Sequence, residues 1–163
     1  MRGVIRSRSS VVGSGRGSRR KTEHREPKTA TPWSRLVAAA RHARTHAYAP
    51  YSGFAVGAAL LARDGTIWSG ANVENSSFGL TICAERSAVV AAVAAGRRNF
   101  RALALVAGRG EPASPCGACR QVLHEFAPRL PIRMVSADGN VRDVTLAELL
   151  PLGFAHEDLE RGR

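Results

Sequence analysis

Cysteine is scarce in this chain, with three in 163 residues. An odd number cannot all pair within the chain, so a disulfide framework is excluded as its organising device. No apolar run approaches the roughly 18 residues that a membrane-spanning helix needs. The basic N-terminus has no apolar stretch behind it and does not read as a secretory signal. With thiols that must stay reduced to hold a metal, these absences point to the cytoplasm. Acidic residues are few, 13 against 24 Lys plus Arg, for a net charge of +11. That excess is uneven. Residues 1–32 hold nine Lys/Arg and two Glu, giving +7, and the remainder holds fifteen and eleven, giving +4. The part after residue 32 is therefore only mildly basic, which argues against a nucleic-acid-binding face on it.

Residues 1–31 also lack any periodic apolar pattern. They are rich in Arg, Ser and Gly, and such a segment cannot offset its ordering entropy by burial, so it is expected to be disordered. Short basic runs are weak signals. A passive extension, or a stretch included from an upstream start, is favoured over an RNA-binding or membrane-surface arm. Residues 32–163 are read as one domain, and an apolar content of 44% is ordinary for a chain with a core.

Along that domain, Leu36, Val37, Ala40 and Ala43 form a helical stripe, with Ser34 as the expected N-cap and Pro50 limiting the helix on the far side. Phe54 to Ala62 is almost continuously apolar, as in a strand covered on both faces. Asp64-Gly65 turns it into a returning strand from Thr66 to Gly70. Cys83 opens a helix running through Ala95 and stopped by Gly96. Phe100 to Ala107 is a second buried strand, and Cys116 to Phe126 a further helix. Pro131 to Ser136 and Val141 to Val144 are strands joined at Asp138-Gly139, and Thr145 caps a short helix over 146–150. This alternation predicts a three-layer α/β/α sandwich with a mixed sheet of about five strands.

All three cysteines fall in two short segments, Cys83-Ala84-Glu85-Arg86 and Pro115-Cys116-Gly117-Ala118-Cys119. Cys116 and Cys119 are one helical turn apart, so their sulfurs point the same way, and Cys83 is the third ligand candidate. A tetrahedral zinc on three protein ligands keeps one position open for water, the layout of a catalytic site. Both segments open helices, where free N–H groups and a partial positive charge stabilise thiolates. Glu85 is placed to move protons. Three thiolates on a doubly charged ion leave one negative charge, and Arg86 is the cation beside it. Asn72 and Glu74, at a strand end, fit hydroxyl binding or a hydrogen-bonded turn equally well. His42 and His46 have a metal-like i, i+4 spacing, but they lie on an ordinary helix and read as surface residues.

The two cysteine segments resemble those of the zinc deaminases of nucleosides and nucleobases. The wider text, YSGFAVGAALL at 51–61, GANVEN at 70–75, ICAERSA at 82–88, PCGACRQVL at 115–123 and LLPLGFAHEDL at 149–159, is similar to the small cytidine deaminases. The resemblance runs from Trp33 to Leu159. It implies the same α/β/α fold and one zinc on Cys83, Cys116 and Cys119. It implies hydrolysis of cytidine and deoxycytidine to uridine and deoxyuridine plus ammonia, in pyrimidine salvage, with Glu85 shuttling protons from zinc-activated water. It further implies that the Ala84 N–H and the Glu85 carboxyl read the pyrimidine edge and that Asn72 and Glu74 bind the ribose. By the same token Phe54 contacts the ligand, Phe154 reaches the site of a neighbouring subunit, and Arg86 hydrogen-bonds a ligand sulfur. Both phenylalanines also fit plain core packing. The implied assembly is a homotetramer with sites near its interfaces.

Three other readings compete. A polynucleotide deaminase commonly carries His-x-Glu where this chain has Cys-Ala-Glu. A related small-molecule enzyme, such as a blasticidin deaminase, shares the zinc motifs. A structural zinc module with an RNA-binding tail would normally use four protein ligands.

Overall fold

The strand Val56–Ala62 (β1) is buried at six of its seven positions, as its unbroken apolar sequence requires. A computed structural model describes residues 31–161, so the expectation for the N-terminal extension lies outside the described residues. Ile67–Ala71 (β2) returns antiparallel to β1, and Phe100–Ala107 (β3) pairs antiparallel on its other side. Pro131–Val135 (β4) is parallel to β3, and Val141–Thr145 (β5) closes the sheet antiparallel to β4. The order is β2-β1-β3-β4-β5, the mixed five-stranded sheet that the sequence implies.

Both hairpins turn through three residues inside a last ladder bond, Ala62 N–H to Thr66 O and Ser136 N–H to Asn140 O, each 2.9 Å. In the first, Gly65 N–H donates to Ala62 O at 3.0 Å, and Gly65 has φ +89°. In the second, Gly139 N–H donates to Ser136 O at 3.1 Å, with φ +98°. A left-handed residue is what such loops need at that position, and glycine adopts it without steric cost.

Alternation along the strands sorts the core into two layers. Leu60, Leu103, Leu105, Ile132 and Met134 face one way, against the helices Ala84–Ala94 (α2), Gly117–Phe126 (α3) and Leu146–Leu149 (α4). Ala59, Leu61, Ala102, Ala104 and Val106 face the other way, against the helix Trp33–Arg44 (α1). Small residues let the helices come close. A Cβ on Gly57 would stand 2.1 Å from Ala40 O in α1, and one on Gly70 would stand 2.6 Å from Ala84 O in α2. The second contact matters for function, because it seats the first turn of α2 directly on β2.

Three details depart from the sequence reading. Ser34 does not cap α1: the helix starts at Trp33, with Pro32 before it and no side-chain cap. Trp33 packs on the sheet with the Arg133 guanidinium 4.6 Å above its ring, and that packing sets the helix start. A single 3₁₀ turn, Phe78–Leu80, and a last helix, His156–Arg161 (α5), were not foreseen. Thr145 does cap α4, in a capping box with Glu148.

Candidate active site

Because β2 and β3 are both antiparallel to β1, they run parallel to each other, and β4 is parallel to β3. The connecting helices α2 and α3 therefore leave the same end of the sheet. Open α/β sheets bind ligands at the carboxyl ends of such strands. Cys83 is the N-cap residue of α2 and Cys116 that of α3, both with extended backbone, and neither side chain caps its helix. Their sulfurs are thus free for another use. Cys119 follows in the first turn of α3 and is fully buried.

The three sulfurs lie within 4.8 Å of one another, with Cys83 and Cys116 3.8 Å apart. Zinc–sulfur bonds of about 2.3 Å in a tetrahedron put the sulfurs about 3.8 Å apart, the spacing that Cys83 and Cys116 already have. It is the one cluster of three or more potential ligands found among the described residues. His42 and His46 are both exposed, stacked edge to face at 5.0 Å.

The electrostatics are those of a site built for a cation. Burial pushes the Cys119 thiol far up, and the charges of Glu85 and Cys83 push it the same way. Burial also opposes ionisation of Cys116, but the Cys119 N–H and the neighbouring thiols outweigh it and hold its pKa below the usual thiol range. Glu85 is only 4% exposed. Burial raises its pKa, against opposition from its own N–H, the Cys119 thiol and the Arg86 charge. Arg86 donates from one terminal nitrogen to Thr81 O at 2.9 Å and to Cys83 Sγ at 3.6 Å. Its own pKa is raised, chiefly by that sulfur contact. Among the described residues, the buried Arg86 Nε–H has no hydrogen-bond partner.

A cavity of about 200 Å³ opens over this cluster, and its walls include Phe54, Asn72, Glu74, Cys83, Ala84, Glu85 and Cys116. Seven of the ten residues singled out from the sequence thus share one cavity. Cys119 lies among the sulfurs but does not line it, and Arg86 stands behind Cys83. Phe154 is elsewhere: it is 57% exposed and borders a separate hollow with His124 and Leu152. The sequence reading missed Ser52, Thr81 and Ser114, which complete the wall. Their only signal was adjacency to the motifs. Two larger hollows among the described residues are lined without a cysteine.

Asn72 and Glu74 have a visible structural task. Asn72 accepts from Val56 N–H at 2.8 Å and donates to Phe54 O at 2.9 Å, so its amide replaces a strand partner just before β1. Glu74 accepts from the N–H groups of Tyr51 and Ser52 at 2.9 and 3.2 Å, and from the Ser52 hydroxyl. The Ser52 hydroxyl and then the Tyr51 N–H hold its pKa below the usual carboxylate range. Together the two side chains fix the loop that carries Phe54.

The model of the cytidine and deoxycytidylate deaminase zinc-binding region matches residues 31–134. A cytidine deaminase of Sporosarcina psychrophila is 52% identical over 126 residues, 77% of this chain and 93% of that protein. One of Mycobacterium tuberculosis is 46% identical over 131 residues, covering 80% and 96%. The crystal structure of cytidine deaminase from Burkholderia pseudomallei superposes with a TM-score of 0.73 at 48% identity, covering 77% of this chain and all of that one. Fold and site together define a zinc-dependent hydrolytic deaminase. Within that class, the chain belongs to the cytidine deaminase family. No helix among the described residues is long and apolar enough to cross a membrane.

Proposed function

We propose that the enzyme takes free cytidine and deoxycytidine, and not their phosphates or a polynucleotide. The observation that carries this choice is the charge of the cavity wall. Among the described residues it has two carboxylates, Glu74 and Glu85, and no Lys or Arg. A 5′-phosphate brings up to two negative charges, and a carboxylate opposite it would repel them with no cation to compensate. A strand-binding groove would need basic or stacking surfaces along the backbone. A neutral nucleoside meets neither requirement and suits the wall.

Cys83, Cys116 and Cys119 would hold the zinc, which when bound would supply the Lewis acidity that makes water a nucleophile near neutral pH. Glu85 carries the protons, to ring N3 and then towards the leaving amine. Its burial favours this exchange, because it raises the carboxyl's pKa and so makes the protonated form easier to reach. The free N–H of Ala84, at the first position of α2, reads the pyrimidine edge with the Glu85 carboxyl. Arg86, donating to Cys83, offsets the surplus negative charge of three thiolates.

Phe54 lies against the ligand, on the loop that Asn72 and Glu74 hold. The same two side chains bind the sugar hydroxyls. Phe154 completes the site of a neighbouring subunit in a homotetramer. The exposure of Phe78 (74%), Leu152 (93%) and Phe154 (57%) supports an assembly that covers them. The enzyme works in the cytoplasm, in nucleoside salvage, and residues 1–31 form an extension that does not contribute to catalysis. The test is a comparison of kcat/KM for cytidine, deoxycytidine, free cytosine and deoxycytidylate. We expect high values for the two nucleosides and at least tenfold lower ones for the base and the phosphate, since each lost or mispaired polar contact is worth about 1.4 kcal/mol or more. Deoxycytidylate turned over as fast as deoxycytidine would overturn the reading.

A further inference from the structure

Arg120 directly follows the last cysteine and does not line the cavity. Its guanidinium nevertheless makes three hydrogen bonds, each to a different residue. Nε donates to Pro115 O at 2.7 Å, one terminal nitrogen to Ser114 Oγ at 2.9 Å, and the other to Leu149 O at 2.9 Å. The Arg120 backbone N–H donates to Cys116 O at 3.0 Å. One residue thus grips three consecutive positions, Ser114, Pro115 and Cys116. Two of these, Ser114 and Cys116, line the cavity, and Cys116 carries a sulfur of the cluster.

The fourth contact reaches further. Leu149 is the last residue of α4, so its carbonyl has no partner within that helix. The next residue, Gln121, grips the chain five positions on. Its Nε2 donates to Phe154 O at 2.7 Å, and its Oε1 accepts from Phe154 N–H at 3.1 Å. Adjacent residues of α3 therefore fasten both ends of the segment from Leu149 to Phe154. No ion pair involving Arg120 occurs among the described residues. A guanidinium spread over neutral oxygens is a positioning device, since each charge-assisted bond is stronger and more directional than a neutral one. The task needs a planar fork, which lysine lacks.

We propose that Arg120 is a positioning residue: its guanidinium sets the place of the Cys116 sulfur and the Ser114 wall, and locks both to the C-terminal segment. The inference rests on Cys116 being a zinc ligand. It differs from the role of Arg86, which touches sulfur directly. Arg120 acts only through the backbone and the Ser114 hydroxyl, and so governs where the ligand stands and not its charge.

The experiment compares wild type, Arg120→Lys and Arg120→Ala by the rate of zinc release to a chromogenic chelator, KM and kcat for cytidine, and thermal unfolding. Groups that orient metal ligands are typically worth 10- to 100-fold in metal affinity or activity. We expect zinc release from Arg120→Lys to be faster by about that factor, with KM raised more than kcat is lowered. Millimolar guanidinium should slow zinc loss from Arg120→Ala, because the free ion can refill the fork. Wild-type release rates and KM in Arg120→Lys would overturn the proposal, as would a lower unfolding temperature as its sole defect. Absence of guanidinium rescue in a folded Arg120→Ala would also count against it. Zinc content and turnover of the wild type, measured in parallel, judge the reading of the site separately.

Discussion

Glu85 and Cys116 differ in their proposed roles, the first moving protons and the second holding metal. Replacing Glu85 with Gln keeps the shape and removes the proton acceptor. We expect full zinc content, an unchanged fold and a turnover lower by about 10²–10⁴-fold. Cys116→Ala should lose metal and activity together, read by metal analysis and assay on the same sample. At this scale much of the site was legible. Three cysteines in two segments leave one economical arrangement, and Glu85 lies inside it. What the sequence hid is what the polar side chains grip. Nothing in the spacing of Asn72 and Glu74 says that they bond Phe54, Val56, Tyr51 and Ser52, because those partners are defined by a loop closing in space. Arg120 was invisible for the same reason, since its acceptors are carbonyls and a hydroxyl, which every sequence has.

Among the elements, the strands and their order follow from apolar runs and turn residues, and the sheet has the expected five strands. The start of α1 did not follow, because the packing of Trp33 overrode the capping preference of Ser34. The close approach of α2 to β2 at Gly70 gives a sharp test. A Cβ there would meet Ala88 N at 2.5 Å and Ala84 O at 2.6 Å, and both atoms are backbone. Gly70→Ala should cost about 1–3 kcal/mol by overpacking and, by displacing the first turn of α2, should also weaken zinc retention. Denaturant midpoints and metal analysis together check both effects.

The β1–β2 hairpin offers a pH test. Asp64 accepts from the Thr66 hydroxyl at 2.6 Å and the Thr66 N–H at 3.0 Å, and pairs with Arg97. The Thr66 bonds lead in lowering its pKa from 3.8 to about 2. A carboxylate depressed in the folded state adds stability that is present above its unfolded pKa and lost as pH falls through the folded one. Asp64→Asn should therefore be less stable than wild type at neutral pH. The gap should shrink as pH drops from 3.8 towards about 2. A gap that stays constant over that range would mean that charge plays no part in the turn.

At the scale of the whole molecule, the family model begins at residue 31, and we propose that the residues before the domain play no part in its activity. Removing residues 1–31 should leave zinc content, assembly state and cytidine turnover unchanged, as checked by metal analysis, sedimentation and assay. The central claim is that one sheet end gathers three thiolates, a buried carboxyl and an uncharged-nucleoside cavity into a working deaminase. The most direct measurement follows the ultraviolet absorbance of cytidine on mixing with wild type and with Glu85→Gln at equal, verified zinc content. The account predicts rapid loss of the cytidine band with wild type and almost none with Glu85→Gln. Equal rates from the two proteins, or no loss with zinc-loaded wild type, would contradict it.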